Sequence, residues 1–228
     1  MKLDDQSTFH LEWLHFLGSL FILAIVGAFL LRPTPAVSSP TIQPQLEARI
    51  SDIRPTAPAA RIARAIVAAG EKCEIDPTLI AALMEVESAY RVDAESHTGA
   101  RGLMQLIRST AESLGVRWET AYDIETNTTA GACYLARHLE TYGGRIDLAA
   151  RRYNGYDDPR FAQKVLARYR AISGRTTIAV FVRKGDTLAS LASTYLDNPR
   201  AYRKLADENS ITNPASIEPG QLIFINYA

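Results

Sequence analysis

The 228-residue sequence is poor in cysteine, in histidine and in excess charge of either sign. Two cysteines are too few for the disulfide framework that staples small secreted domains. Lys+Arg and Asp+Glu both number 25, so the formal charge is zero. The balance is also local: residues 59–172 carry 15 basic and 15 acidic side chains, and residues 173–228 carry 6 and 5. No segment hides a basic stripe, which argues against a nucleic-acid face, a polybasic arm and an acidic tail. The four histidines, His10, His15, His97 and His138, show no metal-ligand spacing, and no Gly-rich phosphate loop is present. No metal, nucleotide or other cofactor is expected. His97 sits in a turn and is expected to be exposed.

What is present is a globular composition, 47% apolar and 22% charged. The apolar residues are unevenly spread. Leu14–Leu31 holds 14 of them in 18 positions, with His15 the one ionisable residue. Eighteen helical residues rise roughly 27 Å, close to the thickness of a bilayer core. Trp13 at the edge suits the headgroup layer, and Arg32-Pro33 ends the run. Residues 1–13 therefore read as a tail and 14–31 as a transmembrane anchor. A cleaved signal peptide is the alternative, although Met1-Lys2-Leu3-Asp4-Asp5 is a poor basic start and Thr34-Pro35-Ala36 a poor cleavage site. Six of the eleven prolines fall in residues 32–58, which read as a Pro-rich linker. Leu46, Ile50 and Ile53 have helical spacing, so a short helix interrupting the linker is compatible with the pattern.

From Ala59 the periodicity turns helical. Asp76-Pro77 reads as an N-cap followed by proline at the first helical position. In the helix that follows, Ile80, Leu83, Met84 and Glu87 share one apolar stripe, widened by Leu79, Val86 and Tyr90. Glu85 lies opposite, with Thr78, Ala81 and Ala82, and reads as a surface glutamate. Glu87 faces the core. Burial disfavours its charged form and raises its pKa, which suits a general acid near neutral pH. A core-edge glutamate satisfied by an arginine has the same pattern.

The next segment, Ser96–Leu106, has Gly99 and Gly102 three apart, a tight turn that brings backbone close to something. Glu87-Ser88, Gly99-Ala100-x-Gly102-Leu103-Met104-Gln105, Thr110-Ala111, Asn127, Gly131, Tyr134-Leu135 and Tyr153-Asn154-Gly155 occur in that order. In these motifs the chain resembles the soluble lytic transglycosylase (SLT) catalytic domain. It departs at Arg108, where the family usually has proline, and around Tyr153-Asn154-Gly155, where the family often reads Ala-Tyr-Asn-Ala-Gly. The resemblance implies a mainly α, lysozyme-like (α+β) domain over residues 59–173. It also implies cleavage of the MurNAc–GlcNAc β-1,4 bond of peptidoglycan with a 1,6-anhydro product. Glu87 would be the catalytic acid and base, assisted by the substrate's acetamido group. Ser88, Gly102, Met104, Gln105, Tyr153 and Asn154 would bind substrate. A goose-type muramidase, with Asp93, Glu95 or Glu125 as second carboxylate, is the alternative within glycosidases, and an inactive wall-binding scaffold the alternative outside them.

The C-terminal segment pairs Gly185-Asp186-Thr187-Leu188 with Asn213-Pro214-x-x-Ile217-x-Pro219-Gly220-Gln221-Leu222. It resembles a LysM domain over residues 177–227, a small βααβ module. That resemblance implies glycan contacts from Gly185, Asp186, Thr187, Leu188, Asn213, Pro214 and Ile217. Asp186 also reads as the N-cap of the first LysM helix. The implied partners are peptidoglycan glycan strands, and the membrane through the N-terminal helix. The implied location is a bacterial inner membrane, single-pass, with both domains in the periplasm, or secretion after signal cleavage. Outside the cytoplasm, Cys73 and Cys133 either pair or stand as separate buried thiols.

Overall fold

The computed structural model describes residues 42–156 and 158–227. The expected tail (1–13) and anchor (14–31) lie outside them. Among the described residues no helix is long and apolar enough to cross a membrane.

Seven helices build the first domain: α1 (Ile42–Ile53), α2 (Ala59–Cys73), α3 (Pro77–Ser88), α4 (Arg108–Ser113), α5 (Ile124–Thr141), α6 (Ile146–Tyr153) and α7 (Pro159–Ser173), with a 3-10 turn at Trp118–Thr120. The linker expectation changes at α1. Leu46 and Ile50 stand one turn apart and are fully buried in the domain core, so residues 42–53 are packed helix and not extended tether. Apolar side chains at i and i+4 outweigh the local proline bias once a partner face exists.

α3 is the centre of the domain. Asp76 caps it, accepting from the Thr78 backbone N–H at 2.9 Å and the Thr78 hydroxyl at 2.6 Å, with Pro77 at the first helical position. Its Thr78–Met84 run is buried on every side. The face expected to be solvated is therefore covered: Ala81 and Ala82 have no exposure, and Thr78 has 5%. A helix apolar all round must be surrounded. α1 and α7 supply Arg49 and Arg168 to that face. Cys73 at the end of α2 is disulfide-bonded to Cys133 in α5, across a sequence separation of 60.

The second domain has β1 (Thr177–Phe181), α8 (Leu188–Leu196), a 3-10 turn (Pro199–Ala201), α9 (Tyr202–Glu208) and β2 (Leu222–Asn226). The strands pair antiparallel, Thr177 opposite Asn226 and Phe181 opposite Leu222. Val180, Leu188, Leu191, Tyr195, Leu205, Ile223 and Ile225 form its core, which also takes in Leu166 from α7.

A buried ionic group joins the two domains. Arg145, ahead of α6, has a side chain 3% exposed. It donates to both oxygens of Asp147 at 2.8 and 2.7 Å, to the Phe181 carbonyl at 3.2 Å and to Asp186 at 2.5 Å. The Tyr195 hydroxyl donates to Asp147 at 2.5 Å. Around it, Gln163 donates to the Ser193 carbonyl at 2.9 Å, and Arg170 lies 3.6 Å over the Tyr227 ring.

Candidate active site

Glu87 and Glu85 sit two residues apart in α3 in opposite electrostatic settings. Glu85 is the paired one. Arg49 donates to it at 2.8 and 3.1 Å, Arg168 at 2.7 Å and the Tyr90 hydroxyl at 3.4 Å, and its side chain is only 8% exposed. The expectation of a surface glutamate is thus overturned. Two arginines from α1 and α7 offset the cost of burying its charge. Glu87 is half-buried, and among the described residues its carboxyl has no ion-pair or hydrogen-bond partner. Burial with nothing to offset it pushes its pKa up to about 8.

The chain turns sharply just past Glu87. Ala89 and Tyr90 both adopt positive φ, 46° and 60°, a conformation uncommon for residues with a Cβ. Tyr90 is fully buried and its hydroxyl donates to the Ala81 carbonyl at 3.2 Å, which pins the turn back onto α3.

The Ser96–Leu106 segment forms a small bridged loop, Glu95 opposite Arg101 and Arg101 opposite Leu106. Gly102 has φ 76°, and a Cβ there would lie 2.6 Å from both the Ala121 carbonyl oxygen and the Asn127 amide nitrogen. Glycine meets both the left-handed backbone and the close approach. Asn127, fully buried, accepts from the Met104 N–H at 2.7 Å and donates to the Ala121 carbonyl at 2.7 Å and the Arg101 carbonyl at 3.1 Å. Met104 is buried and its carbonyl accepts from the Tyr153 hydroxyl at 2.8 Å. Burial raises the Tyr153 phenol well above its ordinary range, and the nearby Glu87 charge adds to this. α5 passes Met104 and Tyr153 so closely at Gly131 that a Cβ would meet them at 2.5 and 2.9 Å.

Met104, Gly102, Gln105 and Tyr153 are therefore one bonded cluster, with Tyr153 close enough to Glu87 to register its charge. Gln105, at φ 46°, spends its amide nitrogen on the Ala94 and Gly102 carbonyls at 3.1 and 2.9 Å, so it shapes the loop. The Ser88 hydroxyl donates to the Met84 carbonyl of its own helix at 3.2 Å and is not bonded to Glu87. Asn154 is half-exposed at the end of α6. Asn127 is the residue that motif order marked without a role; the structure buries it fully in α5 beneath the loop. His97 is exposed. Two of the three candidate second carboxylates have other partners: Glu95 is held below the usual range by the Tyr122 hydroxyl and Arg101, and Glu125 by Arg61, while Asp93 is exposed.

In the second domain, Gly185 and Thr187 are exposed, and the Asn213–Ile217 loop lies at the surface. Two of the expected glycan-contact residues have side chains engaged elsewhere. Leu188 is 1% exposed in the core, and Asp186 is bonded to Arg145 and to the Arg183 N–H at 2.8 Å. Nor is Asp186 the N-cap. Thr187 caps α8 in a reciprocal box with Ser190.

The first domain is mainly helical, and a strand-paired module follows it in the chain. Residues 64–165 match the Transglycosylase SLT domain family, and residues 181–226 match the LysM domain family. The chain thus carries an SLT domain followed by a LysM domain. It is similar to membrane-bound lytic murein transglycosylase F of Desulfosudis oleivorans, 42% identical over 104 residues, which cover 42% of this chain and 22% of that protein. It is also similar to the transglycosylase of Enterobacteria phage PRD1, 40% identical over 90 residues, 40% of this chain and 33% of that protein. The chain thus spans a third or less of these relatives' length. Among solved structures, the 70 kDa soluble lytic transglycosylase of Escherichia coli superposes with a TM-score of 0.43 at 21% identity, over 49% of this chain and 24% of that one.

Proposed function

We propose that the chain is a peptidoglycan lytic transglycosylase that cleaves the MurNAc–GlcNAc β-1,4 bond and leaves a 1,6-anhydro end. The observation that carries this is the unpartnered Glu87 carboxyl, raised to about 8 and set against a bonded loop cluster in an SLT domain. At neutral pH it holds its proton and can give it to the glycosidic oxygen as general acid. The substrate's acetamido carbonyl stabilises the positive charge that develops at C1. Glu87, now ionised, takes the proton from the C6 hydroxyl, and that oxygen closes on C1. No water enters, so no second carboxylate is needed to activate one, in contrast to two-carboxylate glycosidases. Glu95 and Glu125, each engaged by its own partners, are consistent with this. Tyr153 and Met104 hold the wall beside Glu87, Gly102 and Gln105 shape its loop, and Ser88 and Asn154 lie at the ends of the two helices that border it.

The LysM module holds glycan through its exposed Gly185–Thr187 turn and Asn213–Ile217 loop. Residues 14–31 anchor the protein in the inner membrane, with both domains in the periplasm. The membrane-bound names of the relatives and the Cys73–Cys133 disulfide, which persists in an oxidising compartment, support this. The test is peptidoglycan clearing by Glu87→Gln against the parent, with mass analysis of released muropeptides. Anhydro ends, one water lighter than reducing ends, are expected from the parent and nothing from the variant. Reducing ends would assign a hydrolase, and full activity in the variant would remove Glu87 from the chemistry.

A further inference from the structure

Tyr134, His138 and Tyr142 stand at i, i+4 and i+8 on α5 and its C-terminal cap. Each step of four residues advances about 40° beyond a full turn, so the rings form one stripe that rises about 12 Å. At one end the Tyr134 ring centroid is 5.3 Å from that of Tyr153, whose phenol feels the Glu87 charge. The Tyr134 and His138 rings meet edge-on at 4.4 Å. Burial, and then Arg152, lower the pKa of His138, so the middle of the stripe is uncharged at neutral pH. At the other end Tyr142 lines an open hollow of about 380 Å³ with Leu148, Arg151, Arg152, Gly155 and Tyr156. Tyr156 is 70% exposed. The LysM module reaches the same place: Arg183 lies 5.4 Å over the Tyr142 ring. The Arg145 group fixes that approach, because Asp186, which it binds, also accepts from the Arg183 N–H.

We propose that this hollow is an extended glycan subsite, and that one peptidoglycan strand runs from Glu87 along Tyr134, His138 and Tyr142 to Tyr156 and the LysM turn. This rests on the proposed function. The occupant is argued from continuity and chemistry. The stripe begins at the candidate catalytic acid and ends at a glycan-binding module, and it is longer than one sugar ring. Its rings offer flat apolar faces to sugar C–H groups, and its arginines offer donors to hydroxyl and acetamido oxygens. The LysM module then acts as one wall of the substrate path, its position set by Arg145, and not as a loose tether.

The test uses the full chain carrying Glu87→Gln, so that substrate is bound and not consumed. Adding Tyr142→Ala and Tyr156→Ala should weaken co-sedimentation of purified, peptide-free glycan strands about tenfold. Unchanged binding overturns the subsite. A loss seen only with peptide-bearing sacculi assigns the hollow to the stem peptide and overturns the glycan track. With Glu87 intact, the two tyrosine substitutions should raise KM on long strands and leave kcat in place, as expected for binding common to ground and transition states. A fall in kcat at unchanged KM overturns the inference. Should the double variant lose its fold, Tyr156→Ala alone, at an exposed position, carries the same comparison. Absence of anhydro products from the parent would defeat the proposed function itself, whereas an active parent with unaltered glycan binding in the variants defeats only the track.

Discussion

Glu87 and Glu85 differ in their partners, so substituting them should have opposite consequences. Glu87 binds a proton more tightly folded than unfolded. Its burial therefore costs nothing below the unfolded pKa of about 4.5 and costs progressively more as pH rises toward 8. Glu87→Gln should abolish cleavage and raise stability by roughly 1–3 kcal/mol at pH 8, with little change at pH 4, in thermal unfolding across that range. Activity of the parent should fall as pH passes about 8, where the acid loses its proton. Glu85→Gln should do the reverse. It strands Arg49 and Arg168 and should lower stability by about 1–3 kcal/mol, discounted for their partial exposure, while the folded fraction keeps producing anhydro muropeptides.

Among elements, the Ser96–Leu106 loop and α5 are held together from outside their own sequence. Gly102→Ala would place a methyl 2.6 Å from a backbone carbonyl at a left-handed φ, and would break the seat that Asn127 makes for Met104. A loss of at least about 2 kcal/mol in denaturant unfolding, with cleavage impaired, is the expected outcome. The Cys73–Cys133 bond closes a 60-residue separation between α2 and α5. By the chain-entropy model it adds about 4 kcal/mol, so reduction should lower Tm markedly, and unreduced, unfolded protein should titrate no free thiol. Local signals mark α3 and α7, because Asp76-Pro77 and Asp158-Pro159 each place an acceptor before a proline at the helix start. Periodicity leaves α1 ambiguous, because two buried side chains in a proline-rich stretch acquire meaning only when a partner face is known.

Over the whole described structure, the two domains share the Arg145 group and the Leu166 contact. They should unfold in one calorimetric transition. Asp186→Ala should separate it into two, since a buried guanidinium left without one partner is strongly destabilising at the junction. Retention of a single transition at the parent's Tm would show that the apolar contacts alone hold the domains.

The sequence by itself marked Glu87 as the candidate acid and determined the order of its motifs and the two domain types. Those depend on residue identity, spacing and capping within short windows. It marked Glu87 on a helix stripe because 3.6-residue periodicity needs no knowledge of neighbours. Only the tertiary structure decided that Glu85 is paired and Glu87, among the described residues, is not, and that Asp186 serves the domain junction. The deciding partners, Arg49 and Arg168 for Glu85 and Arg145 for Asp186, lie tens of residues away. A charge's cost or benefit is set by what stands within a few ångströms of it, and no periodicity along the chain records that.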